Sequence, residues 1–321
     1  MEDENLRKGL LYAVITGVLV SIMPIVIITR PQVIDPYIFA AMTFIIVSLI
    51  FLPLVFLERK VIKKRIDNNP SSKECNELLL NGWKNHKKFF IFLGIVFGVG
   101  RIFLILGYEL AGAINGALAQ KTRIILALIF GYIILKEKIT KKQILFSIIL
   151  FIGLFIAVSQ FSFDFFNFNN EVIIGVLIML LLGTIWTLAH TQTKREIFDK
   201  KEATPLFIVF IRSSLGGIIL ISTYFLFFPL ENVRLFYDPI NLLYFLAIGL
   251  IHGIGLFCWY KTISNIDYSK GTILVAPTPI ITAVLAYFFL GEIFTIYHLI
   301  GTIIIVMSII VIVREKPIRI E

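Results

Sequence analysis

"GIVFGVG" at Gly94–Gly100 and "GLIHGIG" at Gly249–Gly255 carry glycine at the same three positions, 155 residues apart. Held at that offset, the chain stays in register without a gap from about residue 89 to 158. Gly116 falls on Gly271, Tyr132 on Tyr287, Leu135 on Leu290, Glu137 on Glu292 and Thr140 on Thr295. Unrelated apolar segments would share mostly Leu and Ile. Coincident glycines and polar helix-end residues therefore point to an internal duplication. The pairs Gly94/Gly98 and Gly249/Gly253 each put two small residues on one helix face, the spacing that lets helices pack closely.

The duplicated stretches sit in a very apolar chain. Of 321 residues 58% are hydrophobic, against about 45–50% in ordinary globular chains. Apolar runs recur at lengths that cross a hydrocarbon core of about 30 Å. The runs predict spans at 9–28, 37–57, 89–108, 113–135, 143–161, 172–193, 204–228, 240–260, 270–290 and 296–313. The first is too long for a signal-peptide core and lacks a small-residue cleavage site. Thr140 and Gln143 read as a capping box at the start of the fifth span.

Charge then sets the orientation. The net charge is +9, which taken alone would suit a nucleic-acid partner. Its distribution excludes one. Of the 30 Lys and Arg, 24 lie in connections on one face and only Arg30 and Arg234 on the other. By the positive-inside rule the rich face is cytoplasmic, with both termini on it. The segment 58–88 reads as a basic cytoplasmic loop that touches anionic lipid. "KEKITKK" (136–142) carries four cations, whereas its partner "GEIFTIYH" (291–298) carries none. Five spans per half is an odd number, so the halves oppose each other. The expected fold is an all-α integral membrane protein of ten transmembrane helices, built as two inverted five-helix repeats, 1–161 and 162–321. Inverted repeats are a transporter design, with substrate held near the midplane between the halves.

Four cations lie inside spans. "ALAQKTRIILALIFGY" (117–132) holds Lys121 and Arg123, although a cation at the centre of a spanning helix costs roughly 2.5–3.5 kcal/mol. Arg101, on the preceding span, shares their depth, roughly 10–15 Å from the outer end at 1.5 Å per residue. No Asp or Glu lies deep in a span, and Glu109 is the nearest acidic partner. An anionic substrate group would compensate these cations; snorkelling to outer headgroups with pairing to Glu109 is the competing account. Lys121 and Arg123 stand about 200° apart on an ideal helix, which keeps both from pointing squarely into one narrow cavity. His252, in the middle of the eighth span, and Trp186, as a cavity wall, complete the substrate-binding candidates. Pro277 and Pro279 read as a break or hinge near the middle of the ninth span. Arg212 and His190 read as peripheral and inner-end residues, and His298 as a loop or interface residue. No metal cluster, nucleophile elbow, phosphate loop or paired carboxylates appear, so no cofactor and no enzymatic activity are expected.

The stretch "VAPTPIITAVLAYFFLGEIFTIYHLIG" (275–301), through Pro277, Pro279, Leu290, Gly291, Glu292, Thr295 and Gly301, resembles the drug/metabolite transporter superfamily in its EamA-like branch. The first-half counterpart departs from it, with Lys136 where Gly291 stands and Phe146 where Gly301 stands. The resemblance implies ten helices, a central cavity and alternating access without ATP, in a prokaryotic cytoplasmic membrane. The substrate it implies is a small organic metabolite. The intramembrane cations favour an anionic or zwitterionic one, and export of neutral or aromatic amino acids or drugs is the alternative. Membrane lipid and a second copy of the chain are the expected partners.

Overall fold

The computed structural model describes residues 2–68, 73–135, 137–161, 170–266, 271, 274, 275, 277–314, 318 and 319. The helices are α1 (Glu2–Ile28), α2 (Pro36–Asn68), α3 (Lys73–Asn81), α4 (Lys87–Ala119), α5 (Arg123–Leu135), α6 (Lys141–Ser159), α7 (Glu171–Thr193), α8 (Pro205–Phe227), α9 (Pro239–Asn265), α10 (Thr278–Leu290) and α11 (Ile296–Arg314). Among the described residues seven helical stretches are long and apolar enough to cross a membrane, and the α10 and α11 segments are shorter apolar helices. The strands β1 (Glu137–Lys138) and β2 (Ile318–Arg319) pair antiparallel and bring the C-terminal tail beside the connection before α6.

Local chemistry places the helix starts. Asp35 accepts from the backbone N–H of Tyr37 and Ile38 at the head of α2. Thr140 and Gln143 form a reciprocal capping box at the head of α6. Thr204 and Asp238 cap α8 and α9, each followed by a proline at the first helical position, where a missing N–H leaves no bond unmade.

Two elements differ from the hydropathy reading. The 58–88 segment is mostly helical. Residues up to Asn68 continue α2, and α3 and a 3₁₀ turn at Gly82–His86 follow. The segment is docked as well as charged. Trp83 and Arg59 pack on Phe207 at the foot of α8, and His86 meets Glu202. The buried side chains of Ile62 and Leu80 supply the apolar face that a count of cations passes over. The second difference is α4, which runs through the expected gap at 109–112 and bends at Gly112 (φ 77°, ψ 169°). Only glycine adopts that conformation without strain. The bend frees two backbone N–H groups, and the Glu292 carboxylate accepts both, from Ala113 at 2.7 Å and Ile114 at 3.1 Å.

The closest helix pairs are α6 with α11, α2 with α8, α1 with α9 and α4 with α7. Gly94 and Gly98 face Leu215 and Gly216 of α8. Gly249 and Gly253 face Ile46 and Val47 of α2. Gly153 and Gly301 bring α6 and α11 into backbone contact: a Cβ on Gly301 would lie 2.5 Å from the Gly153 carbonyl.

Two stability predictions follow from these contacts. Gly301→Ala forces α6 and α11 apart, because the obstructing atoms are backbone, and should cost about 1–3 kcal/mol. Gly255→Ala meets its nearest neighbour, Leu19, at an ordinary 3.5 Å and should be near neutral; melting temperatures in detergent compare the two. Glu292→Ala removes the acceptors at the Gly112 bend and should cost about 1–2 kcal/mol, the scale of a lost helix cap, read in the same assay.

Candidate central cavity

A cavity of about 170 Å³ opens among α1, α2, α4, α5, α7, α8, α9 and α10. One water needs about 10–15 Å³ on the same measure, so the space takes a small organic molecule. The lining includes Arg101, Lys121, Arg123, Trp186 and His252, and also His190 and Arg212.

A break in the helix explains how two residues 200° apart on an ideal helix both reach it. Gln120–Thr122 forms a 3₁₀ turn between α4 and α5, and the change of winding turns Lys121 and Arg123 to one space. The Lys121 ammonium donates to the Val275 carbonyl at 2.6 Å and to the Thr278 hydroxyl. Both acceptors lie at the start of α10. Pro277 and Pro279 also stand there, Pro277 as the N-terminal cap and Pro279 in the first turn. The prolines therefore stand at the head of α10.

The arginines are held differently. Arg101 is 1% exposed; its Nη1 donates to the Met23 sulfur at 3.1 Å, while Nε and Nη2 have no partner among the described residues. Arg212 is 2% exposed. Its Nη1 donates to the Tyr260 hydroxyl at 2.8 Å, its guanidinium lies 3.6 Å from the centre of the Phe97 ring, and its Nε has no partner. The peripheral assignment of Arg212 is thus corrected. Ser213, Gly216 and Gly217 on the same helix are buried with it, and this small-residue face turns Arg212 inward. Arg212 stands one helical turn before Gly216. Arg123 donates to Gln120 Oε1 at 3.3 Å and lies 5.7 Å from the Trp186 ring.

Three further nitrogens of lining residues are buried and have no partner among the described residues: Trp186 Nε1, His252 Nε2 and His190 Nδ1. Gly100, from the opening motif, makes room for the Trp186 indole; a Cβ there would lie 2.6 Å from its Nε1. His190, expected only near the inner end of its span, packs on Phe97 at 5.0 Å and belongs to the cavity.

No Asp or Glu is among the lining residues. Glu109 does not reach the intramembrane cations. It accepts from Arg30 at 2.5 Å, and Arg30 also donates to the carbonyls of Ile27 and Ile34. His298, expected in a loop or interface, is buried within hydrogen-bond range of Asn115 and Gln160.

Three comparisons place this architecture. A solved crystal structure aligns over 96% of each chain with a TM-score of 0.64 at 14% identity, which shows a shared fold. A Bacillus subtilis (strain 168) protein described as the uncharacterized transporter YyaM is 27% identical over 225 residues, 68% of this chain and 71% of that one. The model of the EamA-like transporter family matches twice, over residues 7–159 and 173–314. Apolar helices around a central cavity and a family match across nearly the whole chain make this an integral membrane protein that belongs to the EamA-like transporter family.

Proposed function

We propose that the protein is a secondary transporter that carries a small organic anion across the membrane by alternating access. In this reading ten spans form two inverted five-helix halves, 1–161 and 162–321, with both termini in the cytoplasm. The double family match, the 155-residue register and the 24-to-2 loop charges support it. So do the reciprocal glycine contacts, α4 on α8 in one sense and α9 on α2 in the other.

One observation carries the substrate charge. Five residues of the lining, Arg101, Arg212, Trp186, His190 and His252, each carry a buried nitrogen with no partner among the described residues, and the lining holds no carboxylate. A buried polar group left unsatisfied costs about 1–3 kcal/mol. An oxyanion supplies acceptors to several at once, and guanidinium forks match carboxylate and phosphate geometry. A zwitterion would bring an ammonium among cations with no acid to receive it.

The described contacts also suggest how access is controlled. Glu292 at the Gly112 bend and His298 with Asn115 join the two halves near one end of the cavity helices. In the proposed topology that end is external, and these contacts break when the cavity opens outward. Lys121 ties the break at 120–122 to the start of α10.

Arg101→Gln or Arg212→Gln should weaken binding of the transported anion at least tenfold, about 1.4 kcal/mol. Melting temperature should fall little, because each substitution also removes a desolvated charge. Arg30→Gln lies outside the cavity and should lower stability while leaving affinity near wild type. Proteoliposome uptake over a panel of carboxylates, phosphate esters, neutral solutes and cations gives the readout. Normal anion uptake by both cavity variants would remove the anionic assignment. Topology has its own check. An impermeant thiol reagent should label Leu230→Cys from outside and Lys141→Cys only from inside; the reverse pattern would overturn the orientation.

A further inference from the structure

The lining is one-sided in its hydrogen bonding, and this narrows the substrate beyond its charge. Its unpartnered nitrogens belong to two arginines, an indole and two imidazoles, and three of these five side chains can only donate. Several of its acceptors are already engaged within the protein, and none is a carboxylate. The Val275 carbonyl and Thr278 hydroxyl receive Lys121. Gln120 Oε1 receives Arg123, and the Tyr108 hydroxyl receives Gln120 Nε2 at 2.8 Å. The Thr16 hydroxyl donates to the Tyr12 carbonyl at 2.8 Å and that of Thr282 to the Ser21 carbonyl at 3.2 Å, so their lone pairs and the imidazole nitrogens are the neutral acceptors that remain. Much of the remaining surface is aliphatic, from Leu19, Val20, Leu104, Ile124, Ile251 and Leu256.

We infer that the substrate is an organic acid with an apolar body: an oxyanion head and a hydrocarbon or aromatic remainder, without an ammonium group or a polyol. This deepens the anion-transport reading and rests on it. The head takes the guanidinium, indole and imidazole nitrogens. The body displaces water from the aliphatic surface, a gain of about 25 cal/mol per Å². An α-amino acid of the same shape brings a cation that needs two or three acceptors beside Arg101 and Arg212. A sugar phosphate brings several hydroxyls that must give up water for a mostly aliphatic surface with few acceptors to offer. Either mismatch leaves polar groups desolvated and unpaired, which is the stronger form of discrimination available to a binding site.

Matched ligands test this. The full-length protein in detergent is titrated with phenylpyruvate, phenylalanine and glucose 6-phosphate, and separately with 4-methyl-2-oxopentanoate and leucine. Each oxo acid should bind at least tenfold more tightly than its amino acid, and phenylpyruvate at least tenfold more tightly than glucose 6-phosphate. If an amino acid or the sugar phosphate binds as well as the oxo acid, the apolar-acid assignment is wrong; a preference for glucose 6-phosphate would leave anion transport standing. If neither the oxo acids nor the phosphate ester bind, the anion reading itself fails. Leu19→Asn places an acceptor in the aliphatic surface and should narrow the ratio of phenylpyruvate to phenylalanine affinity at least threefold. General loss of structure would lower both affinities together, and an unchanged ratio would overturn the account of selectivity.

Discussion

Inside a hydrocarbon layer a backbone can leave helical geometry only where the protein answers the groups it sets free. Gly112, at one end of the cavity helices, the turn at 120–122 and the start of α10 are three departures from helical geometry. Two of them have a polar answer drawn from elsewhere in the chain: Glu292 accepts the N–H groups beyond Gly112, and Lys121 bonds the carbonyl of Val275. The breaks also give the cavity its chemistry, since the 3₁₀ turn brings Lys121 and Arg123 to one side. Their satisfaction and the site's formation are one structural event.

The cationic lining is sustained by arrangement as well as by occupancy. Arg212 rests on the faces of Phe97 and Tyr260, and Arg123 near that of Trp186. Aromatic faces attract cations while leaving in-plane N–H groups free. The guanidinium groups are thereby held without carboxylates that would compete with an incoming anion. Glu109 and Glu292 are committed elsewhere, to Arg30 and to the bend in α4.

What the sequence made legible follows from which forces are local. Apolar runs and cap residues such as Thr140 report on one helix at a time, and among the described residues seven membrane-length helices and the Thr140 cap appear in the structure. Lys121, Arg123, Arg101, His252 and Trp186 stood out because a polar or bulky residue in an apolar span is visible one position at a time, and all five line the cavity. Arg212 was misplaced because its direction depends on how α8 packs against α4 and α2, a relation among three helices. The Arg30–Glu109 pair joins residues 79 positions apart and was likewise invisible. The docking of Trp83 on Phe207 was hidden by the density of lysines around it.

The lysine bridge at 120–122 has a kinetic meaning. At the 155-residue offset, Lys121 falls on Ala276 and Arg123 on Thr278. The two halves therefore share a plan but not a charge at corresponding breaks. In the inverted arrangement proposed above, closing toward one compartment makes a lysine bond that closing toward the other does not. The two access states then differ in energy and in the barriers leading out of them. A carrier with such unequal states shows different apparent affinities from its two sides. Detailed balance binds that difference to an equal and opposite one in turnover, so the asymmetry shapes rates and saturation while the gradient alone sets net direction.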